Sequence, residues 1–170
     1  MAFVKVYIHF IWSTKNRQPY LNSPDLRKQV WIHMKENALK QKIYIDTING
    51  YKEHCHCLLS LGVHLAISKV IQLIKGESSW WINRNHLTRS QFEWQDEYFG
   101  VSVSESDLPR VRKYIRNQEE HHKRISFQDE YDDFLQKFGL VRLKDGSIVP
   151  KPSDSDAAEG NAGDQDIPLG

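Results

Sequence analysis

The chain has 170 residues, 39% of them hydrophobic and 26% charged, with a net charge of +1, which suits one globular domain with a sizeable core and a tail. No apolar run approaches the ~20 residues of a membrane helix, the start lacks a signal-peptide pattern, and two cysteines make no disulfide scaffold. These features argue against membrane and disulfide-rich secreted classes, and a cytoplasmic location is expected.

The charge is unevenly spread. Residues 141–170 hold three basic and six acidic residues, leaving 20 basic and 16 acidic ones in 1–140. That mildly basic region suits an anionic partner. Residues 3–12 alternate between two faces and predict a strand. Lys15 to Pro19 reads as a basic polar loop. Ser23-Pro24 is a helix start, serine capping and proline in the first turn, and Leu26, Val30 and Met34 carry the helix to about Lys40. Ile43 to Ile48 predicts a second strand, Asn49-Gly50 a turn, and residues 51–61 a third strand. Leu65 to about Asn83 is a second helix, with Ile67, Val70, Ile71 and Ile74 on one face and Gly76 as a candidate interruption. Residues 84–97 read as a loop and Tyr98 to Val103 as a fourth strand. A third helix, capped by Ser106 or Asp107, is predicted to run to about Lys123, and a short amphipathic one over Phe127 to Phe138. From residue 141 the chain is rich in Gly, Ser, Asp, Ala and Pro, so the expected organisation is a domain over 1–140 and an acidic, disordered tail over 141–170.

The order β-α-β-β-α-β is the split βαβ, ferredoxin-like arrangement: an α+β fold with an antiparallel sheet and helices on one face. The other face is the one that nucleic-acid-binding domains of this architecture use.

Two constellations carry chemistry. His54 and His56 are one residue apart on a predicted strand, so both point to one face while Cys55 and Cys57 point to the other. Two imidazoles side by side can share a metal ion, and the same spacing also describes a hydrogen-bonded surface pair. Diverging side chains argue against a four-ligand zinc site. The second constellation is Tyr114 with Gln118, four apart on a predicted helix and so on one face. Arg112, Lys113 and Arg116 give Tyr114 a basic setting that would welcome a phosphate. Tyrosine is a poor nucleophile at neutral pH, and a metal and cations nearby would favour its attack. His121 and His122 read as further ligands or phosphate contacts, or as solvated residues near a helix end. Trp80, Trp81 and Trp94, with Lys75 and Arg84, would either stack on bases or fill the core.

Several stretches, in this order and spacing, resemble the single-tyrosine HUH transposases of IS200-type insertion sequences and their REP-associated relatives. They are His9 to Lys15, His54-Cys55-His56, Phe92 to Gln95, Val101 to Ser104, and Tyr114-Ile115-Arg116-Asn117-Gln118 followed by His121-His122. The resemblance covers about residues 3–140. It implies an HUH endonuclease-type fold and a DNA transposase that cleaves and rejoins single-stranded DNA. His54, His56 and Gln118 would bind Mg2+ or Mn2+, and Tyr114 would form a 5′-phosphotyrosine link. It further implies hairpin DNA at element ends as substrate, and a homodimer whose composite sites take histidines from one chain and tyrosine from the other. Lys15, Arg17, Lys75, Arg112, Lys113 and Arg116 are the expected nucleic-acid contacts. Relatives often have aspartate where this chain has Glu53, whose side chain is expected to point away from the metal face. The alternatives are a non-catalytic or domesticated hairpin-binding protein of the same fold, and a small-molecule hydrolase built on the histidine pair alone.

Overall fold

The computed structural model describes residues 3–151. The chain divides into two compact units, with the boundary between Arg124 and Ile125.

The first unit is built on a four-stranded antiparallel sheet in the order β2-β3-β1-β4, with β1 at Val6–Ser13, β2 at Tyr44–Gly50, β3 at His54–Leu61 and β4 at Phe99–Val103. Two long helices connect the strands, α1 at Pro24–Lys40 and α2 at Ile67–Arg84. The sequence marks the start of α1: Pro24 occupies its first turn and the Ser23 hydroxyl accepts from the Leu26 N–H at 3.1 Å. Gly76 does not interrupt α2.

Alternation along the strands separates two faces. Ile8, Phe10 and Trp12 of β1 join Cys55, Cys57 and Leu59 of β3 in a core completed by Val30, Trp31 and Met34 of α1 and by Val70, Ile71 and Ile74 of α2. Each large apolar side chain buried there stabilises the fold by about 1.5–3 kcal/mol. Trp94 belongs to this core, its indole N–H donating to the Ser78 hydroxyl at 2.9 Å, so it is not a stacking platform.

The opposite face is not bare. Helix α3, Leu108–Arg116, lies there, and its Leu108 and Ile115 pack with Leu58 of β3 against Tyr7, Val103 and Tyr114. The predicted third helix is broken at Asn117, and a short segment α4, Gln118–His121, follows. The predicted Asn49-Gly50 turn is displaced too. Both residues lie in β2, and the chain reverses through 51–53, where the Tyr51 N–H donates to the His54 carbonyl at 3.1 Å. Strand β2 also has a register shift between Ile45 and Thr47, which makes Asp46 an extra residue.

In the second unit, α5 spans Phe127–Lys137 and is capped by the Ser126 hydroxyl, which accepts from the Asp129 N–H at 3.2 Å. Leu140–Arg142 (β5) and Ile148–Pro150 (β6) then pair as a hairpin that the composition of the tail does not predict. Its turn uses Gly146 at φ 88°, where a side chain would be strained. The remainder of the expected tail, 152–170, lies outside the described residues. No helix among the described residues is long and apolar enough to cross a membrane.

Candidate active site

Strand β3 delivers His54 and His56 to the face that carries α3, and both are fully buried. Their cysteine neighbours point into the core on the other face, where burial pushes both thiols well above the ordinary value. A protonated, sequestered thiol is no metal ligand, so the strand geometry separates the histidines from the cysteines.

Each histidine is oriented from behind. The His54 Nδ1 is 3.2 Å from Glu53 Oε1, which directs Nε2 forward. Burial works most strongly, to raise the Glu53 carboxyl, but the hydrogen bond and charge of His54, the charge of His122 and a backbone hydrogen bond together hold it below its ordinary value. Glu53 therefore does not point away from the metal face. It lies in the turn before β3, where strand alternation does not apply. The His56 Nδ1 is 3.0 Å from His9 Nε2 on β1, a buried diagonal contact two residues along from Ile11, the partner of His56. A proton on His56 Nδ1 leaves its Nε2 lone pair available to an ion.

Gln118 is also fully buried. Its Oε1 stands 3.4 Å from His54 Nε2 and 3.0 Å from His122 Nε2. Ring nitrogens of His54, His56 and His122 all lie within 4.8 Å of one another. His122 is half-buried, its ring 4.4 Å from that of His54 and stacked on Tyr51 at 5.6 Å. It is not a solvated residue at a helix end. Converging imidazole nitrogens can hold a divalent metal ion, and the Gln118 amide oxygen stands beside them.

Tyr114 completes the group. Its half-buried ring stands edge-on to His56, centroids 5.7 Å apart, and 5.6 Å from His121. Long-range contacts fix this helix. Arg112 donates to both carboxylate oxygens of Asp46, at 2.9 and 2.7 Å, and Asn49 Nδ2 donates to the Arg116 carbonyl at 3.0 Å. The Arg112 bonds hold the Asp46 carboxyl below its ordinary value. Segment α4 is tied to α1 by the buried Arg27, whose Nε donates to Glu119 at 3.1 Å while another nitrogen donates to the Leu21 carbonyl at 2.7 Å.

The expected nucleic-acid contacts divide. Lys113 and Arg116 are exposed on α3. Lys15 and Arg17 lie in the 3-10 turn after β1, where the Thr14 N–H donates to the Glu53 carbonyl at 2.8 Å, so this turn borders the histidines. Lys75 sits on α2, across the sheet from Tyr114, and donates to the carbonyls of Gln95 and Asp96. Trp81 stacks on His33 at 3.8 Å, and only Trp80 of the three tryptophans is largely exposed, at 62%. Sequence reasoning misses Glu53 and His9 as supports. For His9 a signal exists: it is a histidine on the same face as the metal pair, one strand away.

An α+β sheet of this topology with a paired-histidine site and a neighbouring tyrosine is an HUH-type architecture. The chain belongs to the IS200-like transposase family, whose model matches residues 2–118. No curated protein sequence matches it. Among solved structures it is similar to a Deinococcus radiodurans protein assigned as a transposase, at 22% identity and a TM-score of 0.55, covering 69% of this chain and 93% of that one. It is also similar to a REP-associated tyrosine transposase bound to a REP hairpin, at 16% identity and a TM-score of 0.54, covering 99% and 97%. At these identities the likeness shows the fold.

Proposed function

We propose that this transposase cuts and rejoins single-stranded DNA at hairpin-bearing element ends, with Tyr114 as nucleophile and a divalent ion held by His54, His56 and Gln118. The observation that carries this reading is the position of Tyr114 beside His56, 5.7 Å between ring centroids, on the face where the imidazoles converge. Attack by the Tyr114 oxygen on the scissile phosphorus breaks the bond to the 3′-oxygen. The phenolic proton is lost to solvent and the leaving oxygen takes one up. The products are a 5′-phosphotyrosine and a free 3′-hydroxyl, and that hydroxyl reverses the step on the same or another strand, so joining needs no ATP. A bound Mg2+ or Mn2+ would polarise the scissile phosphate. Lys15, Arg17, Lys113 and Arg116 hold the DNA backbone. Arg112, already paired with Asp46, and Lys75, on the far face, contribute less.

The similar REP-associated transposase is bound to a REP hairpin, which supports hairpin DNA as the substrate class. Because Tyr114 and both histidines meet within one chain, we take the site as complete in one protomer rather than as a composite of two. Mixing His56→Ala and Tyr114→Phe chains tests this. No restored cleavage in demonstrated heterodimers is expected, and restoration returns the shared dimeric site.

The function itself is tested with a single-stranded oligonucleotide that carries a terminal hairpin and its flank. With Mn2+ or Mg2+ the parent chain is expected to form a denaturation-resistant protein–DNA adduct, and Tyr114→Phe none. An adduct in Tyr114→Phe refutes the nucleophile. Hairpin binding without cleavage under any divalent ion supports the non-catalytic alternative instead.

A further inference from the structure

We infer that His122 is itself a metal ligand, and that the resulting three-imidazole site takes a transition-metal ion such as Mn2+ or Co2+ in preference to Mg2+. The inference rests on the metal-site reading above and goes beyond it in ligand set and metal class.

The geometry brings His122 into the centre. One ring nitrogen of His122 lies within 4.8 Å of those of His54 and His56. Nitrogens bound to one ion at about 2.1 Å stand about 3.0–3.4 Å apart in octahedral or tetrahedral geometry, so closing the site draws the rings together by at most about 1.8 Å. The ring is already held for this. Tyr51 stacks on it at 5.6 Å, and His54 packs edge-on at 4.4 Å. The Gln118 amide oxygen is 3.0 Å from its Nε2. Gln118 and His122 are one helical turn apart, and the His122 N–H donates to the Gln118 carbonyl at 3.0 Å, so the two side chains approach as a pair. Arg27, over the Tyr51 ring at 5.0 Å and bonded to Glu119, fixes both the stacking partner and the segment between them.

The preference follows from the donors. Mg2+ favours hard oxygen ligands and keeps its waters, whereas imidazole nitrogens bind first-row transition ions better, increasingly so from Mn2+ to Co2+. Each added imidazole therefore widens the gap in favour of the transition metal. His54 and His56 alone give a modest bias, and a third nitrogen increases it.

The full chain, stripped of metal and without DNA, is titrated with Co2+ and followed by its visible d–d absorption, and then back-titrated with Mg2+ and Mn2+. The parent is expected to bind Co2+ and to release it to Mn2+ at concentrations at least about tenfold below those of Mg2+. His122→Ala should weaken Co2+ binding by about tenfold or more, shift the spectrum and narrow the Mn2+/Mg2+ gap. His122→Gln keeps a hydrogen-bonding group beside Gln118 but offers no imidazole. It should show the same loss if His122 is a ligand, and parent-like binding and spectrum if it only props Gln118, which overturns the inference. Equal displacement by Mg2+ and Mn2+ in the parent overturns it too. Melting of the metal-free variants checks that they fold. If His54→Ala and His56→Ala also leave Co2+ binding intact, the metal-site reading falls. If they abolish binding while both His122 variants retain it, only this inference falls.

Discussion

Gly50, the last residue of β2, sits against the backbone of His54. A Cβ placed there would stand 2.1 Å from the His54 carbonyl oxygen and 3.0 Å from the Cys55 Cα. Ordinary contact begins beyond about 3 Å, and both obstructing groups are backbone, so Gly50→Ala must part the two strands by about an ångström. Overpacking of this kind costs about 1–3 kcal/mol, which lowers the melting midpoint of a chain of this size by roughly 2–12 °C. The displaced residue is a proposed metal ligand, and an ångström of misplacement costs catalysis about 100-fold. Differential scanning calorimetry and single-turnover cleavage of the hairpin oligonucleotide measure the two effects. Gly76→Ala is the control. Nothing lies within 4 Å of its added carbon, and alanine in a helix interior should stabilise by about 1 kcal/mol without slowing cleavage. A Gly50→Ala protein that melts and cleaves like its parent refutes the claim that the β2–β3 approach positions His54.

Two more perturbations test how the helices are anchored. Glu119→Ala leaves the Arg27 guanidinium buried with its bond to the Leu21 carbonyl, and is expected to destabilise by about 1–3 kcal/mol in urea unfolding and to weaken Co2+ binding through α4. Asp46 has its carboxyl held low by Arg112, so the native state binds a proton less readily than the unfolded chain. Its contribution is present above the ordinary value of 3.8 and is lost as pH falls through the depressed folded value. Melting midpoints measured from pH 7 to 3 should fall more steeply for the parent than for Asp46→Asn.

Local signals make much of this fold and site legible in the sequence. The Ser23-Pro24 cap, the alternation of β1 and the spacing of His54 and His56 are all of this kind, and local physics decides them. The break at Asn117 is not, because helix periodicity continues through it. Glu53 defeats the strand pattern because alternation does not extend into the three residues, 51–53, that precede β3. The sequence leaves His122 open between a ligand or phosphate contact and a solvated residue near a helix end, and its burial is created by Tyr51 and His54, far away in sequence. The hairpin at 140–150 is hidden for a different reason: its strands are three residues each, too short for a period to register.

Cys55 and Cys57 give the site a built-in reporter. Both thiols are sealed against α1 and α2 and held protonated, each a single residue from a proposed metal ligand on the other side of the same strand. A thiol-reactive probe reaches them only after the sheet has parted from those helices. The rate of their modification therefore times the opening of β3, and an ion or hairpin that tightens the histidine face slows that clock without any label having been added to the chain.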